Sequence, residues 1–182
     1  MKRIIFLLFF LFFTNQAQSN EELINSLKEG GKLVFIRHAL APGGGDPENF
    51  KISDCSTQRN LNQIGIEQSK KIGSFFTENK IPIDQVLSSE WCRCKDTAKY
   101  AFKNYETFNA LNSFFSAKFA KNKNKQIKDL KKYIKNWNGE KNLIFVTHYV
   151  TISEMMNLAV SSGEIVISDK NLNLIGTIET SN

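Results

Sequence analysis

The sequence predicts a single three-layer α/β/α domain with a mostly parallel central sheet. Three short apolar runs, at residues 32–37, 85–88 and 142–147, lack alternation and are flanked by polar residues. Strands that are buried on both faces have this composition, and parallel sheets covered by helices contain such strands. Helical patterns separate the three runs, and this alternation of strands with helices favours the three-layer architecture.

The other elements follow from shorter patterns. A first helix is predicted from about residue 63 to 79, with Asn62 as its candidate N-cap and an apolar side made by Ile72, Phe75 and Phe76. Apolar stripes at helical spacing predict three more helices. These stripes contain Trp91, Cys94, Ala98, Ala101 and Phe102, then Ile127, Leu130, Ile134 and Trp137, and last Ile152, Met155, Met156 and Ala159. The segments EIVIS and LNLIGTIE predict a closing pair of strands.

The first residues are expected to lie outside this domain. Lys2 and Arg3 precede ten apolar residues, and Ala17 and Ser19 then form an A-x-S cleavage signal. This is the pattern of a secretory signal peptide over residues 1–19, and ten apolar residues are too few for a stable membrane span. We therefore expect a single domain over residues 20–182 in a periplasmic or secreted protein.

The charge of the chain predicts little about partners. The net charge is +6, and eight lysines lie between Lys118 and Lys135. Most lie opposite the apolar stripe of the third helix, so a solvated helix face is the favoured interpretation, with an acidic partner such as anionic lipid as the alternative. Nucleic acid is not expected as a partner, because no aromatic residues alternate with the basic ones.

The chain has only two histidines, and each follows a nearly identical phrase. LVFIRHA contains Arg37 and His38, and LIFVTHY contains His148. Functional groups gather at the carboxyl ends of parallel strands, so the two histidines meet if their strands are parallel neighbours. The alternative is a pair of histidines that only cap unrelated strand ends.

A third phrase, VLSSEWCRCKDTA, again passes from an apolar strand through a short turn to a helix start. Arg93 lies in the first turn of that helix, where free backbone N–H groups also attract anions. Carboxylates are scarce in the three phrases, so no metal and no cofactor is expected. Two guanidinium groups and two imidazoles at one place suit a phosphate group best.

These phrases resemble the histidine phosphatase superfamily, which has the phosphoglycerate-mutase-like fold. The resemblance rests on RHA at residues 37–39, SSEWCRCKDTA with Arg93, VTHYVTI with His148, and LNQIGIEQSKKIG at residues 61–73. It covers most of the predicted domain and suggests an exported, small-domain type. The sequence departs from the family pattern in three places: RHA replaces RHG, HYV replaces HGG after the second histidine, and there is no large cap insertion.

The resemblance implies a phosphatase that acts through a phosphohistidine intermediate on a phosphorylated small molecule or phosphoprotein. His38 would attack phosphorus as a neutral imidazole, and Arg37 and Arg93 would hold the phosphate oxygens. His148, if cationic, would stabilise the charge of the transferring group. The alternative is a weak or inactive module on the same fold that binds phosphate or phosphoproteins, and a mutase is conceivable on this fold.

Three nearby features have open interpretations. In APGGGDPENF, residues 43–45 are glycines that could present backbone N–H groups to phosphate, or could simply form a flexible turn. Arg59 is a candidate substrate contact, although a solvated surface arginine is the favoured interpretation. The segment LNSFF at residues 111–115 could face the substrate or pack in the core.

Three cysteines in an exported protein permit one disulfide and leave one thiol. Cys94 lies on the apolar stripe of its helix and should pack inward as the free thiol, whereas Cys92 lies off that stripe. We therefore predict a Cys55–Cys92 disulfide. A zinc site built from the three cysteines and a histidine is disfavoured, because CRC lacks the spacing of structural zinc sites.

The sequence offers no well-placed proton donor. Asp96, Glu106, Asp129 and Glu140 lie between the second arginine and the second histidine, but each is expected away from the site. Asp46, Glu48 and Asp54 of the first loop are the remaining candidates. A site without a positioned acid loses roughly 10²–10⁴-fold on leaving groups that need protonation, so we expect turnover to depend steeply on leaving-group acidity.

Overall fold

The structure is a computed structural model that describes residues 20–180. The segment predicted as a signal peptide, residues 1–19, lies outside the described residues. The strands are β1 (Leu33–Arg37), β2 (Ile83–Ser88), β3 (Glu106–Thr107), β4 (Asn142–Thr147), β5 (Ile165–Ser168) and β6 (Leu174–Ile178). The helices are α1 (residues 20–29), α2 (Gln63–Glu78), α3 (Cys92–Phe102), α4 (Ala117–Ala120), α5 (Lys123–Asn136) and α6 (Tyr149–Met156).

These strands form one sheet with the order β3-β2-β4-β1-β5-β6. Strands β1 to β4 run parallel, whereas β5 pairs antiparallel with β1 and with β6. The sequence prediction of a mostly parallel sheet with a closing strand pair is therefore confirmed. In the centre, β1 and β4 are direct neighbours, with Arg37 opposite Thr147, so the residues after both strands emerge at the same edge of the sheet.

Helices cover both faces of the sheet, as the three-layer prediction requires. Along β1, Val34 and Ile36 pack into the core on one face, while Leu33 and Phe35 pack into the core on the other. The first face is covered by α1, α2 and α3, and the second face by α5 and α6. Strands buried in this way can be apolar at every position, which explains the runs seen in the sequence.

Helix α2 is fixed against the loop that follows β1. The side chain of Asn62 accepts a hydrogen bond from the N–H of Gly65, which confirms the predicted N-cap. A Cβ atom at Gly65 would lie 2.1 Å from the carbonyl oxygen of Leu40, so only glycine permits this close approach. The segment that carries the first histidine is thereby held against a rigid helix.

The predicted fourth helix is too long. Helix α6 ends at Met156 because Asn157 adopts a left-handed conformation with a φ of 53°, a conformation that terminates helices. Ala159 is consequently exposed and lies outside the apolar stripe to which it was assigned.

The lysine-rich side of α5 is exposed to solvent, as expected. Lys125, Lys128, Lys131, Lys132 and Lys135 of α5 are all exposed, and Leu130 and Ile134 are buried beneath them. Across residues 20–180, no helix is both long enough and apolar enough to cross a membrane.

Candidate active site

His38 follows the last residue of β1 and is held at both its backbone and its ring. Its N–H donates to the carbonyl of Thr147 at 2.9 Å, and its Nδ1 lies 2.8 Å from the carbonyl oxygen of Ala39. Because a carbonyl only accepts, Nδ1 carries the proton and the lone pair is on Nε2. Burial lowers the pKa of His38 well below its usual value, and the charge of Arg93 lowers it further. The imidazole is therefore neutral, as a nucleophile must be.

His148 follows β4, and its ring centroid lies 5.5 Å from that of His38. Its Nδ1 lies 3.4 Å from a nitrogen of Arg93, which can only donate, so the proton is on Nε2. Nε2 donates to the hydroxyl of Ser89 at 2.8 Å, and this hydroxyl donates in turn to Oδ1 of Asn112 at 3.1 Å.

His148 does not meet the condition, a positive charge, under which it was expected to stabilise the transferring group. Burial lowers its pKa well below the usual value, and the charges of Arg93, Arg59 and Arg37 act in the same direction. At neutral pH His148 is a neutral hydrogen-bonding group. The positive charge that acts on His148 comes from the arginines, chiefly Arg93.

Arg37 is oriented by two contacts. Its Nη1 donates to the carbonyl of Val160 at 2.7 Å, and its guanidinium carbon lies 5.7 Å from the ring centroid of Tyr149. Tyr149 stands where the related family pattern has glycine, so the departure from that pattern supplies a ring that packs on Arg37. Within residues 20–180, the buried Nε of Arg37 has no hydrogen-bond partner.

Arg93 lies in the first turn of α3 and forms an ion pair with Asp46. Nη1 of Arg93 is 2.7 Å from Oδ1 of Asp46, and the two side chains are 4% and 17% exposed. The same carboxylate accepts from Nε1 of Trp91 at 2.9 Å and from the backbone N–H of Arg59 at 3.2 Å. Burial raises the pKa of Asp46, but the hydrogen bond and charge of Arg93 outweigh burial, so the pKa lies below its usual value.

Sequence reasoning missed the main role of Asp46, which it considered only as a substitute proton donor. The residue is ionised and engaged with three donors, so it is poorly suited to donate a proton. One sequence signal was present: Asp46 stands between Gly45 and Pro47, in the loop that follows β1.

Arg59 is part of the cavity, so the interpretation as a solvated surface residue is wrong. Its Nε donates to the carbonyl of Gly45 at 2.9 Å, and its Nη1 donates to the carbonyl of Ala41. Burial lowers the pKa of Arg59, and the nearby Arg93 lowers it further. Arg59 therefore fastens the glycine-rich loop and adds a third guanidinium to the site.

The glycine-rich loop forms one side of a cavity of about 500 Å³. Gly43 and Gly45 have φ angles of 94° and 71°, which side-chain-bearing residues rarely adopt. The cavity is also lined by Arg37, His38, Arg59, Arg93 and His148. The cavity thus brings together the four residues that the sequence analysis selected, Arg37, His38, Arg93 and His148, and adds Arg59 to them.

The backbone N–H groups at the start of α3 are less available to an anion than the sequence suggests. The N–H of Cys92 donates to the side chain of Gln58 at 2.9 Å, and the N–H groups of Cys94 and Lys95 donate to the carbonyl of Trp91. These donors of the first turn are satisfied within the protein. Those amides are therefore not free to bind an anion, and the group at this helix start that can do so is the guanidinium of Arg93.

The cysteines pair as the sequence predicts. Cys55 and Cys92 form a disulfide with a Cα–Cα distance of 5.7 Å, which excludes the alternative zinc site. Cys94 is the buried free thiol, and its sulfur lies 3.5 Å from Nε2 of His148. Burial raises the pKa of Cys94 to about 12, so it stays protonated. The disulfide joins the first long loop to the residue before Arg93.

Two of the seven carboxyl candidates line the cavity: Asp46 and Glu48. Asp54 is instead bonded to Ser56 at the surface of the loop. The cavity lining does not include the other four, Asp96, Glu106, Asp129 and Glu140. Since Asp46 is ionised and fully engaged, Glu48 is the one carboxyl of the cavity that stays available for proton transfer.

Comparisons with known proteins identify the fold. No protein-family model matches the chain, and no curated protein matches it either. Among solved structures, the protein histidine phosphatase SixA, complexed with tungstate, is 15% identical with a TM-score of 0.57 and covers 82% of this chain and 97% of its own. A phosphoglycerate mutase from Thermus thermophilus is 11% identical with a TM-score of 0.57 and covers 81% of this chain and 98% of its own.

A mutant phosphoserine phosphatase from Entamoeba histolytica, in complex with phosphoserine, is 16% identical with a TM-score of 0.53. It covers 75% of this chain and 89% of its own. These likenesses show a phosphoglycerate-mutase-like fold, the fold that the sequence resemblance implies.

Proposed function

We propose that this chain, which has the fold of the histidine phosphatase superfamily, is a phosphatase that acts through a phosphohistidine at His38. The observation that carries the proposal is the tautomer of His38. The bond from Nδ1 to the carbonyl of Ala39 leaves the Nε2 lone pair at a cavity that also contains Arg37, Arg59 and Arg93. A fixed neutral imidazole beside three guanidinium groups is suited to attack a phosphoryl group.

The reaction has two steps. Nε2 attacks phosphorus, an N–P bond forms, and the P–O bond breaks with its electron pair staying on the leaving oxygen, which takes a proton from solvent. Water then attacks the phosphohistidine, the N–P bond breaks with its electron pair returning to Nε2, and the proton of the water passes to solvent. Nδ1 keeps its proton throughout, because the carbonyl oxygen of Ala39 accepts a hydrogen bond from Nδ1–H in both steps.

The arginines would stabilise the charge on the transferring phosphoryl group. The Nε atoms of Arg37 and Arg93 are buried and have no partner within residues 20–180, so each can donate to a phosphate oxygen. A hydrogen bond from a charged donor contributes about 1.5–3 kcal/mol. Neutral His148, with its proton directed to Ser89, would orient Arg93 rather than supply charge.

The decisive experiment is to trap the intermediate. The wild-type protein and a His38→Asn variant are mixed with phosphate-labelled acetyl phosphate and quenched in alkaline denaturant, because phosphohistidine is labile in acid. We expect label on the wild type at His38 and none on the variant, in which Asn retains a donor for the carbonyl of Ala39. Arg37→Ala and Arg93→Ala should lower the rate of labelling strongly.

Two results would contradict this mechanism. Turnover by His38→Asn at the wild-type rate would mean that another group attacks phosphorus. Phosphate binding without label or turnover in the wild type would favour the alternative, a module that binds phosphate or phosphoproteins.

We also propose that the protein works in the periplasm or outside the cell. The Cys55–Cys92 disulfide supports this compartment, since such bonds persist in oxidising environments and are rare in the cytosol. Fractionation of cells that express the full chain, with alkylation of free thiols before lysis, tests the proposal. A protein found in the cytosol with three free thiols would contradict it.

A further inference from the structure

The outer part of the cavity is built from aromatic rings. Trp91 packs against the ring of His148 with 5.4 Å between centroids, so the aromatic wall begins at the phosphate site itself. Phe50 stacks on Trp91 at 5.1 Å, and Phe119 meets Trp91 edge to face at 5.4 Å. The three rings, Phe50, Trp91 and Phe119, form a rigid wall that lines the cavity.

Two more aromatic side chains of the cavity are exposed. Phe115 is 72% exposed and Tyr149 is 41% exposed, and both line the same cavity as the wall. Phe115 has the greatest exposure among the large apolar side chains of residues 20–180. The sequence of the segment LNSFF allows either core packing or substrate contact, and in the structure Phe115 lies at the cavity mouth.

The direction of the reaction determines what these rings contact. In a phosphoryl transfer, the attacking and leaving atoms lie roughly in line on opposite sides of phosphorus. His38 is only 2% exposed and attacks from the buried end, so the leaving group extends toward the open end of the cavity. At that end it meets the aromatic wall, Phe115 and Tyr149.

We propose that this cavity accepts phosphate monoesters of planar aromatic groups, with the aromatic leaving group held by the wall and by Phe115. The proposal rests on the proposed phosphatase function and names its substrate class. Aromatic rings pack well on one another in offset or edge-to-face geometry. Trp91 and Phe50 are only 2% and 9% exposed and support the half-buried Phe119 from behind, so the ring surface open to a ligand is that of Phe119, Phe115 and Tyr149. A cavity of about 500 Å³ is within the range of small-molecule sites, which suits a phosphoryl group with one or two rings.

The test separates the effect of aromatic contact on kcat/KM from the effect of leaving-group acidity. Phenyl phosphate is compared with hexafluoroisopropyl phosphate, whose fluorinated alcohol has a pKa similar to that of phenol but has no ring. The variant is Phe115→Ser, and its matched control is Tyr100→Ser, which removes an exposed aromatic side chain of α3 outside the cavity.

We expect the wild-type kcat/KM for phenyl phosphate to exceed that for hexafluoroisopropyl phosphate by at least about tenfold. Phe115→Ser should reduce this ratio by about fivefold, mainly through KM, because the lost contact exists in both ground and transition states. Tyr100→Ser should leave the ratio unchanged. Equal kcat/KM values for the two esters, or an equal loss for both in Phe115→Ser, would overturn the proposal.

Binding distinguishes failure of this proposal from failure of the phosphatase function. If neither ester is hydrolysed, calorimetry with phenylphosphonate and methylphosphonate still tests the aromatic site. Tighter binding of phenylphosphonate that Phe115→Ser abolishes supports the proposal, and equal affinities overturn it. A phosphotyrosyl peptide identifies the source of the aromatic phosphate: a kcat/KM above that of phenyl phosphate indicates a protein substrate, and a lower value indicates a small molecule.

Discussion

Acidification should destabilise this protein through its two histidines. Both are buried, at 2% and 3% exposure, and the pKa of each is lowered well below the ordinary value of 6.5, first by burial and then by Arg93. As the pH falls through 6.5, the unfolded chain binds a proton at each histidine and the folded chain does not. The stability contributed by the neutral histidines is therefore complete above pH 6.5 and is lost below it.

The magnitude follows from linkage. While a folded histidine remains neutral, each pH unit below its unfolded pKa removes about 1.4 kcal/mol of unfolding free energy. Integrated from about pH 7.5 to about pH 5.5, the loss is about 1.4 kcal/mol for each histidine and about 2.7 kcal/mol for both. The chain has only two histidines, and histidine is the side chain whose ordinary pKa lies in this interval. Other groups should contribute little to the slope.

Urea unfolding followed by the fluorescence of the two buried tryptophans, Trp91 and Trp137, measures the effect at several pH values. The control is the double variant His38→Asn, His148→Gln. Asn keeps a donor at the position of Nδ1 and Gln keeps one at the position of Nε2, so both native hydrogen bonds have a replacement. The double variant should lose the pH slope. A wild-type stability that is flat over this interval, or a slope that persists in the variant, would refute the assignment of two neutral buried histidines.

Three further predictions concern the loop and the leaving group. Replacing Cys55 and Cys92 with serine should lower the unfolding free energy by about 4 kcal/mol, because their separation of 37 residues closes a long loop. It should also raise the KM for phosphate esters, and an unchanged KM would show that the disulfide does not position Arg93. Asp46→Asn should lower stability by about 2–3 kcal/mol, since it leaves Arg93 without its ion pair. It should tighten inhibition by inorganic phosphate, and weaker inhibition would mean that Asp46 acts mainly to orient Arg93. Rates for phenyl phosphates of graded leaving-group pKa should rise steeply with acidity. A flat series in the wild type that becomes steep in Glu48→Gln would identify Glu48 as a proton donor.

Much of the fold could be predicted because its strands are buried on both faces. A strand such as β4, covered on each side by helices, is buried at every position and apolar from Leu143 to Val146, and the polar residue that ends the apolar run marks the sheet edge. His38 and His148 could be located by that pattern, and Arg93 by the helix start that follows the turn after β2. The disulfide could be predicted because Cys94 lies on a helical stripe and Cys92 does not.

The rest of the site depends on the long loop between β1 and α2, which has no periodicity to interpret. Whether Arg59 faces solvent or the cavity is decided by contacts with Gly45 and Asp46, which are made only after the loop folds back. The charge of His148 could not be predicted either, because it depends on how completely the ring is removed from water. The residues next to His148 in the sequence do not determine how far its ring is removed from water.

The strand order has a consequence for how the molecule folds. β1 is early in the chain but central in the sheet, and its register with β4 pairs residues such as Leu33 with Leu143, while β5 on its other side lies later still. Pairings between such distant segments close large loops before they gain contacts, which makes folding slow. During synthesis, β1 can therefore pair with its neighbours only after they emerge, more than a hundred residues later. A nascent chain of this topology stays unfolded for a long interval, and Arg37 and His38 can meet His148 only once β4 has docked beside β1.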